Sequence, residues 1–167
     1  MRNEAQANRA LEQYADTVRR ICFLHLKNYA DVEDVFQEVF LKYILYETDF
    51  ESCDHEKAWL ICVTVNACKD ICRSFFRRKV ISLDELDTEL YVFDPPEREL
   101  LDTVLRLEDK YRDVIYLFYY EGYSAVEIAR MLNKKENTIY TWLDRARKTL
   151  RKQLGGDLVE QRDTRRI

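Results

Sequence analysis

The sequence predicts an all-α protein of two small helical domains joined by a flexible acidic linker, the second containing a helix-turn-helix. Three observations predict this. Of 167 residues only 3 are Gly and 2 are Pro while 47% are apolar, which supplies material for cores and few breakers of helix. Long stretches repeat apolar side chains at the three-to-four spacing of one buried helical stripe. That period is lost from Val80 to Pro96, where acidic side chains and the pair Pro95 and Pro96 interrupt it.

The first domain is placed at residues 1–79 and holds three helices. The first runs from about Glu4 to Lys27 and buries Leu11, Tyr14, Val18, Ile21, Cys22 and Leu26. The second begins near Asp31. In DVEDVFQEVFLKYILYE the residues Val32, Val35, Phe36, Val39, Phe40 and Tyr43 make a wide apolar stripe, leaving Asp34, Gln37, Glu38 and Lys42 outside. TDFESCDHE then breaks the period. The third helix runs from about Lys57 to Arg77, buries Trp59 or Leu60 with Val63, Ala67 and Ile71, and ends in the basic cluster Arg77, Arg78 and Lys79. Three such helices can close one bundle.

After the linker at residues 80–96, the second domain is placed at 97–154 and a loose tail at 155–167. Glu97 to Leu107 and Asp109 to Tyr120 read as two amphipathic helices, with Leu100, Leu101, Val104, Leu105, Val114, Ile115, Leu117 and Phe118 apolar, and Gly122 ends the second. From Ser124 to Leu154 the chain reads as two helices joined by a short polar turn. Val126, Ile128, Ala129 and Leu132 close the first of them, and Asn133 tolerates the left-handed backbone that ends a helix. Lys134, Lys135 and Glu136 lead to Asn137 as an N-cap, and Ile139, Leu143, Ala146 and Leu150 form the buried stripe of the last helix. Tyr140, Thr141, Asp144 and Arg145 fall on the other side. Arg145, Arg147, Lys148, Arg151 and Lys152 place positive charge where a duplex would present phosphates. A solvated surface helix with a basic end is the alternative; the paired-helix pattern favours a DNA-reading unit.

Composition excludes several classes of function. The net charge of −4 is wrong for a protein that holds DNA unaided. The charge is segregated, however: Lys69 to Lys79 and the stretch from Arg145 are basic, while SLDELDTELYVFDPPERE between them is acidic. Weak DNA affinity alone, supplemented by a larger partner, is the expectation. No apolar run approaches the roughly 20 residues that span a bilayer, and MRNEAQANRALEQ lacks a signal-peptide core, so a cytoplasmic location without membrane insertion is expected. Cys22, Cys53, Cys62, Cys68 and Cys72 form no C-x-x-C pair and read as cytosolic thiols filling core space. Cys68 and Cys72, one turn apart, and Cys53 beside His55 are the only hint of a metal or redox site. Neither supplies a triad or a ligand spacing, so no metal, cofactor or catalytic residue is expected.

The order of three segments along nearly the whole chain resembles the extracytoplasmic-function (ECF) group of bacterial sigma-70 factors. DVEDVFQEVFLKY is similar to that family's polymerase-binding helix, KAWLICVTVNACKDICRSFFRRK to its minus-ten promoter helix, and YSAVEIARMLNKKENTIYTWLDRARKTLRK to its minus-thirty-five reader. The resemblance implies a non-enzymatic promoter-specificity subunit. Its partners would be core RNA polymerase, through the β′ clamp helices and the β flap, promoter DNA, and an anti-sigma factor. Asp34, Gln37 and Glu38 match the family's docking positions, and the first and last lie one turn apart where they can meet basic side chains of a partner helix. For the minus-ten element the resemblance implies an extruded base held by the loop at about Glu47 to Glu56, with Asn66 near the non-template strand and Lys69, Arg73, Arg77 and Arg78 on the backbone. For the minus-thirty-five element it implies Asn137, Thr138, Tyr140, Thr141, Arg145, Arg147 and Lys148.

Tyr140 and Asp144 depart from the family, which commonly carries Lys or Arg at the first position and His or an aromatic at the second. Asp144 can accept from a cytosine amine or pair with Arg147 or Lys148. In the linker Asp84, Glu85, Asp87 and Glu89 either mimic RNA charge or solubilise a connector. The competing function is a helix-turn-helix transcription regulator that acts without being a sigma subunit.

Overall fold

Asn3 begins the first helix, α1 (Glu4–His25), with a reciprocal cap: its side-chain oxygen accepts from the Gln6 N–H at 2.9 Å, and the Gln6 side chain accepts from the Asn3 N–H at 3.0 Å. Leu26 turns extended and ends α1 two residues short of the predicted Lys27. Asn28 caps α2 (Tyr29–Leu45) by accepting from the Asp31 N–H at 2.8 Å, so that helix starts just before the predicted Asp31. The third helix, α3 (Cys53–Arg78), begins four residues earlier than the predicted Lys57. Ser52 Oγ accepts from the His55 N–H at 3.1 Å, and Asp54 and Glu56 put negative charge in the first turn. The computed structural model describes residues 1–78 and 101–154, with side chains omitted for residues 75–78; the linker at 80–96, with Asp84, Glu85, Asp87 and Glu89, and the tail at 155–167 lie outside them.

The chain divides into two compact units, Met1–Leu90 and Tyr91–Ile167. In the first, α1, α2 and α3 pack pairwise around a core that includes Tyr14, Val18, Cys22, Val35, Val39 and Leu60. The choice between Trp59 and Leu60 resolves by position: Leu60 is buried in the core, and Trp59 is half-buried at its edge among aromatic rings. Leu11, Phe36, Val63 and Ile71 are partly buried against the same core.

A buried carboxylate joins all three helices. Glu56, in the first turn of α3, accepts from Arg9 Nη2 at 2.7 and 3.0 Å and from the Tyr14 hydroxyl at 3.1 Å, both on α1, and from the Tyr43 hydroxyl of α2 at 2.6 Å. Burial alone pushes this carboxyl up. The hydrogen bonds from Tyr43 and Arg9, the Arg9 charge and the Tyr14 hydroxyl outweigh burial and hold it below its ordinary value. Burial and the adjoining carboxylate push the Tyr14 and Tyr43 phenols up, so both remain donors.

In the second unit residues 101–105 are helical, followed by α4 (Asp109–Ile115), a π-helical turn (Tyr116–Tyr120), α5 (Ala125–Met131) and α6 (Glu136–Leu154). The helix predicted over Asp109 to Tyr120 therefore changes its winding at Tyr116. The Tyr116 carbonyl accepts from the Glu121 N–H, five residues on, at 3.1 Å. Gly122, at φ 85°, ends the segment as expected. Ser124 caps α5 through a reciprocal pair with Glu127, an S-x-x-E signature that sequence reading passed over. Asn133 adopts the expected left-handed conformation, φ 52°. Both α4 and α5 pack on α6, which buries Ile139, Leu143, Ala146 and Leu150, the predicted stripe.

Because folded Glu56 ionises more readily than an unfolded carboxyl, whose ordinary value is 4.5, its ionic contribution is complete above that value. It is lost as pH falls through the folded one. Glu56→Gln should lower the stability of the first unit by about 1–2 kcal/mol at neutral pH. The gap in thermal midpoint between variant and wild type should narrow as pH falls below 4.5; calorimetry from neutral pH into that range checks both.

Candidate functional site

On α2 the side chains opposite the core are Asp34, Gln37 and Glu38, all exposed on one face as the three-to-four spacing requires. Glu38 is paired one turn on with Lys42. The same face continues through Leu41 and Leu45, which are 56% and 54% exposed. Sequence reading missed these two leucines, although the run 34, 37, 38, 41, 45 carries the signal. The face is thus acidic at one end and apolar at the other.

Between α2 and α3 the connecting loop is shorter than the predicted Glu47 to Glu56, because Cys53–Glu56 form the first turn of α3 and Glu56 is buried. Its rings make a cluster. Tyr46 lies 4.7 Å from Trp59 and 5.2 Å from Phe50 between centroids, Phe50 lies 5.6 Å from Trp59, and His55 meets Phe50 edge-on. Farther along α3, Asn66 and Arg73 are exposed and Lys69 is half-buried, within one helical strip. Arg73 is paired with Asp70 at 3.3 Å. Arg77 and Arg78 end the helix, and their side chains lie outside the described residues.

In the second unit α6 starts at Glu136, so Asn137 stands in its first turn and is not the N-cap that sequence reading expected. The Lys135 carbonyl accepts from the N–H groups of Thr138 at 2.9 Å and Ile139 at 3.3 Å. Asn133 has already turned the chain, so two residues suffice for the connection. Asn137, Tyr140, Thr141, Arg145 and Lys148 are exposed and Thr138 is half-buried. The Thr141 hydroxyl donates to the Asn137 carbonyl at 2.8 Å, which leaves it an acceptor and a methyl to present. Asp144 takes one of its two expected options: it pairs with Lys148 at 2.8 Å. The hydrogen bond from Lys148, helped by the charges of Lys148, Arg147 and Arg151, outweighs desolvation and holds its carboxyl below the ordinary value. A shallow groove beside the turn is lined by Arg130, Asn133, Lys134 and Lys135.

Arg147, one of the residues expected at the minus-thirty-five DNA, has partners within its own unit. It is half-buried, its Nε donates to the Tyr119 hydroxyl at 2.6 Å, and its guanidinium lies 5.4 and 5.6 Å from the Phe118 and Tyr119 ring centres. Its position, one residue past the buried Ala146, turns it toward the π-helical turn.

None of the five cysteines is in a disulfide, Cys22 and Cys68 are buried, and burial pushes the Cys62 thiol up to about 11. Among the described residues no group of three His, Cys, Asp or Glu side chains could hold a metal ion, and no helix is long and apolar enough to cross a membrane.

The Sigma-70 region 2 family model matches residues 10–79, and the Sigma-70, region 4 model matches residues 97–150. The ECF RNA polymerase sigma factor SigW of Bacillus subtilis is 30% identical over 158 residues, covering 84% of each protein. The chain belongs to the ECF sigma factor family. A second ECF sigma factor, BldN of Streptomyces coelicolor, is 31% identical over 92% of this chain, which spans 62% of that relative. Among solved structures, the sigma factor RpoE in complex with the anti-sigma factor NepR from Bartonella quintana shares the fold. It has a TM-score of 0.68 and 19% identity, over 90% of this chain and 97% of that one. Region 2 of the family thus corresponds to most of α1 with α2 and α3, and region 4 spans α4, the π-helical turn, α5 and most of α6.

Arg147→Ala should destabilise the second unit by about 1–2 kcal/mol, through loss of the Tyr119 bond and the ring contacts. Lys148→Ala, which removes an exposed pair, should leave stability nearly unchanged. Calorimetry of the two full-length variants separates these outcomes.

Proposed function

We propose that this chain is the promoter-specificity subunit of RNA polymerase: it binds core enzyme and directs promoter recognition, DNA opening and transcription initiation. The observation that carries this reading is the family match across both units together with the outward faces each unit presents. The α2 face would dock on the β′ clamp helices, with Asp34 and Glu38 meeting basic side chains and Gln37 adding a directional hydrogen bond. Asn66, with Lys69, Arg73, Arg77 and Arg78, would follow the opened minus-ten strand, an amide reading base edges and cations holding phosphates. Asn137, Thr138, Tyr140, Thr141, Arg145 and Lys148 would face the minus-thirty-five duplex, and the second unit would also meet the β flap. Arg147 is expected at the same duplex and would also fix the roll of α6.

The functional division follows residues 1–79, a linker at 80–96, the reader at 97–154 and a tail at 155–167. The polymerase does the chemistry, in the cytoplasm, and the chain contributes binding and orientation. An anti-sigma factor, the partner named for RpoE of Bartonella quintana, is a further expected partner. It would compete for the docking faces.

Purified chain plus core enzyme should start transcription at promoters located by transcript start mapping, while the chain alone binds the same duplex poorly. Tight promoter binding without polymerase would support a free-standing regulator and defeat this reading. The double variant Asp34→Lys, Glu38→Lys should lower core affinity by about tenfold or more, with unchanged helix content by circular dichroism. Unchanged affinity would remove that face from the docking site.

A further inference from the structure

Arg2 lies ahead of α1 and makes its contacts at the end of α2 and in the loop that follows. Its backbone N–H donates to the Ile44 carbonyl at 2.8 Å, and its Nη2 donates to the Thr48 carbonyl at 3.0 Å. Between these anchors the guanidinium lies over Phe50 at 4.6 Å, Tyr43 at 4.7 Å and Tyr46 at 5.7 Å from the ring centres. Its Nε is buried and meets no hydrogen-bond acceptor among the described residues. The negative ring faces compensate the cation instead. The same rings pack onward, Tyr46 and Phe50 against Trp59 of α3. One cation therefore closes an aromatic box built from α2, the loop and α3.

We propose that Arg2 is a positioning residue for promoter opening. By gripping the Thr48 carbonyl and the Phe50 ring it holds the loop at 46–52 in the form that receives an extruded minus-ten base. This rests on the proposed function and on the base-holding role that the family resemblance implies for that loop. A base leaves the stack only if its receiving site returns enough free energy, and a loop that had to be ordered at that moment would return less. The docking face is unaffected. Asp34, Gln37 and Glu38 point away from the core on α2, opposite the buried Tyr43.

The test compares Arg2→Ala and Arg2→Lys in the full chain with core enzyme, on a promoter located by start mapping. Core affinity, opening of the duplex promoter, and engagement of the same promoter already opened by mismatches across the minus-ten element are measured. Arg2→Ala should bind core enzyme like wild type and open the duplex about tenfold less well. Most of that deficit should disappear on the pre-opened template. Arg2→Lys, which keeps the cation and loses the planar fork, should fall between. Amide hydrogen exchange should quicken at residues 47–52 in Arg2→Ala and stay unchanged through 29–45.

Unchanged duplex opening in Arg2→Ala overturns the role, as does a parallel fall in core affinity and opening, which would mark a general staple of the fold. A wild-type chain that fails to engage core enzyme overturns the proposed function, and this role with it.

Discussion

Glu56 places its carboxylate between three helices, and much of the first unit takes its geometry from the four groups that meet there. Apolar burial favours any arrangement in which the stripes of α1, α2 and α3 face one another, since it has no direction. The Glu56 network has direction. Arg9 and Tyr14 set the register of α1, Tyr43 sets α2, and the position of Glu56 in the first turn obliges α3 to begin at Cys53. Removing one partner would leave the others desolvated and unmatched, so the network selects one packing more than it adds net stability.

Two consequences reach the surface. Starting α3 at Cys53 shortens the preceding loop to residues 46–52 and brings Tyr46, Phe50 and Trp59 into one cluster. Holding Tyr43 inward turns the opposite side of α2 outward, so that Asp34, Gln37 and Glu38 stand clear with Leu41 and Leu45 beyond them. An acidic face that ends in exposed leucines suits a protein partner better than nucleic acid. On the proposed function it also accounts for a chain with a net charge of −4 working on DNA: the partner would supply the affinity that the chain's own charge does not.

The second unit divides its basic residues between two tasks. Arg145 and Lys148 face outward, whereas Arg147 is drawn to Tyr119 and the π-helical turn. Asp144 neutralises part of Lys148, and the Thr141 hydroxyl donates its hydrogen bond to the Asn137 carbonyl. The reading face is therefore less cationic and richer in acceptors than a count of Arg and Lys implies. On the proposed function, selectivity on such a face would come from Tyr140, Asn137 and the acceptor at Thr141 more than from phosphate attraction.

Periodicity and local backbone chemistry were legible in the sequence alone. The all-helical class, the core stripe of α6, the outward position of Asp34, Gln37, Glu38 and Asn66, the left-handed stop at Asn133 and the break at Gly122 each depend on residues within a turn or two of one another. The early start of α3, the burial of Glu56, the inward turn of Arg147 and the grip of Arg2 on the loop were decided only in the tertiary structure. Their partners are distant in sequence: Glu56 meets Arg9 across 47 residues, Arg147 meets Tyr119 across 28, and Arg2 meets Thr48 across 46. A polar or charged side chain reads as exposed until folding brings it a partner, because only a partner offsets the cost of removing it from water.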